Sequence, residues 1–446
     1  MEQPIQMRTK RLQTRIMDFG ALLICMNIVF LLFQIIFRAL TDRNTDMNSI
    51  VVINTASSLF TVILNLNVCV SIGVGIVAAQ KAETGNHASV VRIAYIYGLV
   101  CSGIITVLSL VLAPTITSLY SVPTEIIAQC TVYFRIIILG IPFAMLYLIG
   151  TALYKAQENI KKPLLIMILS GAVGIVLLIL LKVLSVGVYS SAIALLVTQI
   201  IAGCFMLIQY LKRKDDWRLQ LRATSESGNI TLLMVLHGIS LCFFLVIYML
   251  YQNRLYQYLS RESINLIVAN ASARVFFNFV LYILLAVFET SLYISARCYG
   301  VGDLSGVKLT GRFTSLIGLV IGCGTGIVMT LFSDVLLRLV TEQVTAAPEV
   351  KLNFIAVGIG SGLLGVMFGL AGCMSGISLS PLAVILTLIG FAGVGYIWLV
   401  AVVEHVHTIS AYYATYPIGW FAAAFLLLIM LIVIIKDKEK HRNREN

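Results

Sequence analysis

The sequence is short of charge. Asp, Glu, Lys and Arg make up 11% of its 446 residues, against about a quarter in ordinary globular domains. That excludes a soluble domain with a fully solvated surface. Paired cysteines are missing as well. The nine cysteines lie singly, mostly inside apolar runs, and no Cys-x-x-Cys spacing occurs. They read as buried free thiols, with no metal or redox cluster. "EHVH" (Glu404 to His407) is the one stretch with ligand-type spacing, and it reads as an outer loop. The chain has no Gly-x-x-x-x-Gly-Lys loop, so no direct use of ATP is expected. His-Glu-x-x-His, Gly-x-Ser-x-Gly and Asp pairs within apolar runs are also lacking, which leaves an intramembrane enzyme little support. No small-residue cleavage site follows the first apolar run, so no cleavable signal peptide is expected.

Apolar side chains are abundant. Hydrophobic residues are 59% of the chain and mean hydropathy is +0.98. A protein core cannot absorb that much, but a bilayer can. A spanning helix needs roughly 20 mainly apolar residues. Twelve such stretches centre near residues 28, 61, 101, 139, 174, 199, 241, 283, 321, 361, 391 and 424. Alternation over about ten residues, the mark of barrel strands, is not seen. The reading is an all-α, multi-pass membrane protein of twelve transmembrane helices.

Basic residues set the expected orientation. Of the 31 Lys and Arg, 22 fall on the side that holds "MRTKRLQTR", "YKAQENIKK", "LKRKDDWRLQLR" and the tail "KDKEKHRNREN"; nine fall on the other. Both termini are therefore expected in the cytoplasm, in a plasma membrane of bacterial inner-membrane type. The net charge of +11 reflects this asymmetry and not nucleic-acid binding; the basic residues flank membrane helices.

The chain repeats itself. "IVAAQKAETGN" (Ile76 to Asn86) lies over "YISARCYGVGD" (Tyr293 to Asp303) at an offset of 217, and Pro163 lies over Pro381 at 218. Two matches at nearly one offset read as a duplication. Six helices per half give both halves the same orientation, related by a pseudo-two-fold axis along the membrane normal. The expected division is an N-terminal six-helix bundle (1–211), a basic connector (212–229), a C-terminal six-helix bundle (230–435) and a basic tail (436–446).

Polar residues fall in stripes at helical spacing. Asn54, Ser58, Thr61 and Asn65 share one face of the second span; Arg274, Asn278, Tyr282, Glu289 and Tyr293 share one face of the eighth. The offset maps Thr61 onto Asn278 and Asn65 onto Tyr282. Matched stripes point to a hydrated cavity, with Ser, Thr and Asn bonding to neighbouring helices as the plainer reading of any single residue. Asn27, Gln34 and Arg38 extend the picture on the first span, and His237, Phe244, Tyr248 and Tyr251 on the seventh. Glu289 stands out as an acid deep in an apolar run. An ionised, unpaired acid at that depth costs several kcal/mol, so a carboxyl there is suited to holding a proton or a cation.

"GVGIVAAQKAETGN" and its second copy "LYISARCYGVGD" resemble the second-to-third-helix signature of the MATE (multidrug and toxic compound extrusion) transporters, of the MOP flippase superfamily. "YFRIIILGIPF" and "ALYKAQENIKKP" are also similar to that family. The resemblance covers residues 15 to 435. It implies two six-helix bundles in a V and antiport: a small organic, cationic substrate leaves as H+ or Na+ enters. The family's first-helix acid has no counterpart here; "LLFQIIFRAL" places Gln34 near its position and Asp18 lies four turns earlier. The expected coupling residue is Glu289. The expected cavity is lined by Gln34, Thr61, Asn65, Tyr248, Tyr251, Arg274, Asn278 and Tyr282. No bound cofactor or metal is expected; the expected partners are the organic substrate and membrane lipids. A flippase for lipid-linked oligosaccharides, which would hold phosphates on Arg38, Arg135 and Arg274, and an uncoupled receptor or assembly subunit are the alternatives.

Overall fold

The computed structural model of the chain describes residues 5–43, 45–83, 87–118, 124–219, 227–262, 264–333 and 348–445. Among the described residues all regular structure is helical. The order is α1 (Ile5–Asp42), α2 (Met47–Gln80), α3 (His87–Ser118), α4 (Thr124–Ile138), α5 (Ile141–Ala156), α6 (Lys161–Val183), α7 (Tyr189–Lys212), α8 (Ser227–Glu262), α9 (Ile264–Gly300), α10 (Leu304–Leu331), α11 (Pro348–Met374), α12 (Ser380–Leu388) and α13 (Ile409–Glu445). Short π-helical turns follow α11 and α12.

Among the described residues eleven stretches are long and apolar enough to cross a membrane. One of them, Leu352–Val406, is 55 residues long, about twice what a span needs. It breaks at Ile377 and Ser378, whose backbone leaves the helical region, with Ser378 at φ 67°. Counted as two, it brings the passes to the twelve expected. Pro381 then starts α12 within its first turn, where its missing N–H costs nothing. In the first copy a left-handed residue also precedes the proline, Glu158 at φ 57° ahead of Pro163 in α6, though five residues before it rather than three.

The chain forms two compact units. One is contiguous, Val29–Cys242; the other joins Met1–Ile28 to Phe243–Asn446. Both divisions fall inside helices, α1 and α8, rather than in the connector. In the contiguous unit, Val52, Ile53, Phe60, Tyr133, Phe134 and Ile137 form the core between α2 and α4. Tyr133 pairs with Ser191 at 2.9 Å and Thr117 with Thr131 at 2.8 Å. The connector begins by folding back on this unit. Arg213 lies over the rings of Tyr154 and Tyr210 at 5.2 and 5.3 Å, and Trp217 stacks on His87 at 4.5 Å.

In the discontinuous unit, α10 and α11 approach to backbone contact. Gly318, Gly322 and Gly326 recur every fourth residue and meet Gly365, Ser361 and Gly358. Lipid gives no hydrophobic reward for helix association, so such small-residue ridges supply the packing. Asp303 caps α10, accepting from the Gly306 amide at 3.0 Å, after Gly302 turns the chain with φ 72°. The basic tail continues α13 as helix to Glu445.

Candidate functional site

The exposed surface of most helices is aliphatic. On α3 it is Ile96, Leu99, Val100, Ile104, Val107, Leu108, Val111 and Leu112; α6 exposes Leu165, Leu169, Val173, Val176 and Leu180. These faces suit acyl chains. The exposed surface of α2 differs in kind. Past Val51, the only residues of α2 in the exposed class are Ser58 and Thr61, flanked on the same face by half-buried Asn54 and Asn65. Ser58 and Thr61 each donate to their own helix, to Asn54 O and Ser57 O at 2.8 Å. Those bonds satisfy the hydroxyl protons and leave the amides of Asn54 and Asn65 for other partners; Arg38 reaches Asn54 Oδ1 at 3.1 Å. A face of amides and hydroxyls without exposed aliphatics belongs in water, not hydrocarbon.

The second stripe, in the other unit, is split by depth. Between Phe276 and Gly300 on α9, Asn278 alone is fully exposed, and Tyr282 is half-buried. Farther along, Glu289 is 7% exposed and Tyr293 is 2%. The first part of α1 covers this inner end. Asn27 donates to Tyr282 O at 2.9 Å, Phe19 meets the Tyr293 ring edge-on at 6.3 Å, and Gly20 sits against Thr290. Behind Glu289, Ser291 donates to Gly369 O at 2.6 Å and accepts from Thr314 at 3.0 Å. Along α9 an accessible amide and phenol therefore give way to a buried carboxyl and phenol, in the stretch where α1 packs against Tyr282, Thr290 and Tyr293.

The remaining expected residues divide further. Gln34 is exposed among exposed Leu32, Ile35 and Ile36, and Asp18 is exposed. Tyr248 is half-buried and stacks on Phe244 and Phe391 at 6.0 and 5.9 Å. Tyr251 is packed, edge-on to Phe391 at 5.1 Å and against Gly395; it lines no open surface. The stack runs on from Phe391 to Trp420 to Phe277, at 6.4 and 5.9 Å. Sequence spacing found Tyr248 and Tyr251 but not this continuation, which joins three separate helical segments. The side chain of Arg274 lies outside the described residues.

The cysteines also differ from the sequence reading. Cys130, Cys298 and Cys373 are buried, but Cys25 and Cys323 are exposed and the other four are intermediate. Among the described residues no three His, Cys, Asp or Glu side chains converge as a metal site.

Residues 23–180 match the family model MatE. No curated protein matches the sequence. Among solved structures, the Vibrio cholerae MATE transporter VcmN superposes with a TM-score of 0.88 at 14% identity, covering 96% of this chain and 98% of that one. The fold is that of the MATE transporters. An outward-facing multidrug resistance MATE transporter of the MOP superfamily superposes at 0.83 with 17% identity, over 99% and 100% of the two chains. A MOP superfamily transporter from Pyrococcus furiosus, described as having a binding pocket of reverse polarity that suggests a different function, superposes at 0.85 with 18% identity, over 96% and 97%. The MATE fold and the many apolar helices among the described residues mark this as a multi-pass membrane protein.

Proposed function

We propose that the protein is a cation-coupled secondary transporter that exports small organic, cationic compounds by alternating access. Glu289 is the group that holds the coupling ion, H+ or Na+. The observation that carries this reading is the placement of Glu289: an acid 7% exposed, near the middle of the Phe276–Gly300 stretch, about two turns inward from the accessible Tyr282 and three from Asn278. Coupling needs a group whose ion affinity differs between states, because equal affinity shifts nothing. A carboxyl under a helical cover meets that need. Lifting the cover hydrates it and favours the ionised form; restoring the cover favours the protonated or ion-bound form. The polar face of α2 and that of α9 each serve, within their own unit, as water-accessible surface for substrate. The excess of Lys and Arg on one side supports cytoplasmic termini in a plasma membrane.

The test is transport into proteoliposomes, with and without a pH or sodium gradient. Glu289→Gln keeps shape and removes titration. It is expected to bind an organic cation near normally and to lose gradient-driven accumulation. Accumulation by Glu289→Gln at the native level would make the glutamate structural.

A further inference from the structure

Cys69 and Cys242 stand 173 positions apart in sequence, yet both lie in the contiguous unit, on faces of α2 and α8 that touch: a methyl on Gly238 would lie 3.8 Å from Cys69 O, and the two side chains interact. The helices that carry them are in close contact. A methyl on Gly73 of α2 would lie 2.6 Å from the Gly238 amide nitrogen and 2.7 Å from Met234 O on α8. One on Gly238 would lie 3.4 Å from the Val70 Cα. Met234, Gly238 and Cys242 follow one another at every fourth residue, so the face of α8 that touches α2 ends in a thiol. The Cys242 sulfur also reaches Leu66 O at 3.7 Å. On α2, Cys69 follows Asn65 by four residues and so continues the polar face of Asn54, Ser58, Thr61 and Asn65. Both thiols are of intermediate exposure. They are thus paired, reachable, and at the inner end of a face that carries no exposed aliphatic side chain.

We propose that Cys69 and Cys242 form a two-sulfur binding site for a thiophilic d10 cation of the class Cu(I), Ag(I) and Hg(II). Soft thiolates select such ions, and these ions accept two ligands. Zinc is a poor fit: its structural sites take four ligands, and no third His, Cys, Asp or Glu joins the pair among the described residues. A linear S–metal–S unit takes one sulfur from each of two facing helices, which is how α2 and α8 present Cys69 and Cys242. The reaction balances without a change of oxidation state. Hg(II) displaces one proton from each thiol and leaves a neutral bis-thiolate. A monovalent ion displaces one proton and is neutral with one thiolate and one thiol. In either case two protons or one pass to water and no net charge stays in the apolar slab. The bound ion ties α8 to α2.

The experiment uses the full chain, purified in detergent under reducing conditions, freed of reductant without air and loaded with Hg(II). Increasing glutathione then strips the metal, and what remains is counted by mass spectrometry. The native chain is expected to keep one Hg(II) at glutathione levels on the order of 10²-fold above those that empty Cys69→Ser or Cys242→Ser, the gain typical of a second, tethered ligand. Cys204→Ser, on α7, should keep the native value. Equal loss from the native chain and both variants overturns the site. A second measurement needs no variant. A bifunctional thiol reagent that fluoresces only when both ends have reacted, followed by peptide mapping, should join residues 69 and 242 in the native chain and fail to do so after Hg(II) loading. Absence of that cross-link in the metal-free protein also overturns the proposal.

Discussion

The Lys182 ammonium nitrogen lies 2.5 Å from the carbonyl oxygen of Thr41. It also donates to Leu40 O at 2.8 Å, Arg43 O at 2.6 Å and Thr45 Oγ1 at 3.1 Å. A helix leaves its last carbonyls without intrahelical partners and carries partial negative charge there. An ammonium has three protons to give, and here they are shared between two carbonyls in the last turn of α1 and two acceptors just past it. Lys182→Met keeps the length and removes the donors. It is expected to cost about 1–3 kcal/mol, the range for leaving buried acceptors unsatisfied. The melting temperature in detergent should fall by several degrees, with Lys182→Arg intermediate. An unchanged melt for Lys182→Met would show that water replaces the ammonium at no cost.

That contact illustrates what a single sequence reveals and what it hides. The stripes on α2 and α9 were readable because helical spacing maps sequence onto one face. Glu289 was readable because nothing else in its run is charged. The two-fold repeat was readable because prolines and glycines hold particular backbone conformations. Lys182 counted only as one of nine basic residues on the less basic side, since its partners are backbone atoms of a distant helix end. The covering of Glu289 by α1, the stack through Phe277, Phe391 and Trp420, and the Cys69–Cys242 pair all depend on tertiary contact. Periodicity within one helix does not contain that information.

Gly322 and Gly324 separate packing from propensity. A methyl on Gly322 would run into the Ser361 carbonyl, whereas one on Gly324 meets nothing within 4 Å. Gly322→Ala should therefore lower the melting temperature and the yield of monodisperse protein. Gly324→Ala should leave both unchanged or raise them, since alanine is about 0.8–1 kcal/mol better than glycine within a helix. Equal effects of the two would remove the close approach of α10 and α11 as the cause.

The hydrated faces predict where bulk is tolerated. Thr61→Trp and Asn278→Trp place an indole on the polar faces; Val107→Trp places one on the aliphatic face of α3, where exposure is 60%. The first two should reduce transport at least tenfold with normal amounts of protein in the membrane, and the third should leave it near native. Native transport by both polar-face variants would turn those faces toward packed helix or lipid.

Orientation can be read by labelling. In a chain whose own cysteines are replaced, a cysteine at Thr124, the first residue of α4, should react with a membrane-impermeant maleimide added to intact cells. One at Glu445 should react only after lysis. The opposite order would invert the topology.

Acid should loosen the connector. Hydrogen bonds from Arg213, at 2.7 and 2.5 Å, hold the Asp215 carboxyl below its ordinary range. A carboxyl depressed in the folded state contributes stability that is complete above its unfolded value, near 3.9, and that disappears as pH falls through the lower folded value. The side chain is 54% exposed, so water screens the contribution to about 1 kcal/mol or less. Trp217 fluorescence, followed from pH 6 to pH 2, should show a transition in the native protein that Asp215→Asn flattens. Superimposable curves would detach the connector from this ion pair.

The division of the chain at Ile28 and Cys242 also sets an order of events at the ribosome. The contiguous unit has every residue it needs once Cys242 has been made. The first part of α1 must wait: Phe19, Gly20 and Asn27 find their partners only when Tyr282, Thr290 and Tyr293 are synthesised. At about 5–20 residues per second, that wait is on the order of tens of seconds. Throughout it, this segment stays uncommitted in or near the bilayer, exposed to chaperones and membrane proteases. Substitutions on that segment should therefore act first on how much protein matures, before they act on what the mature protein does.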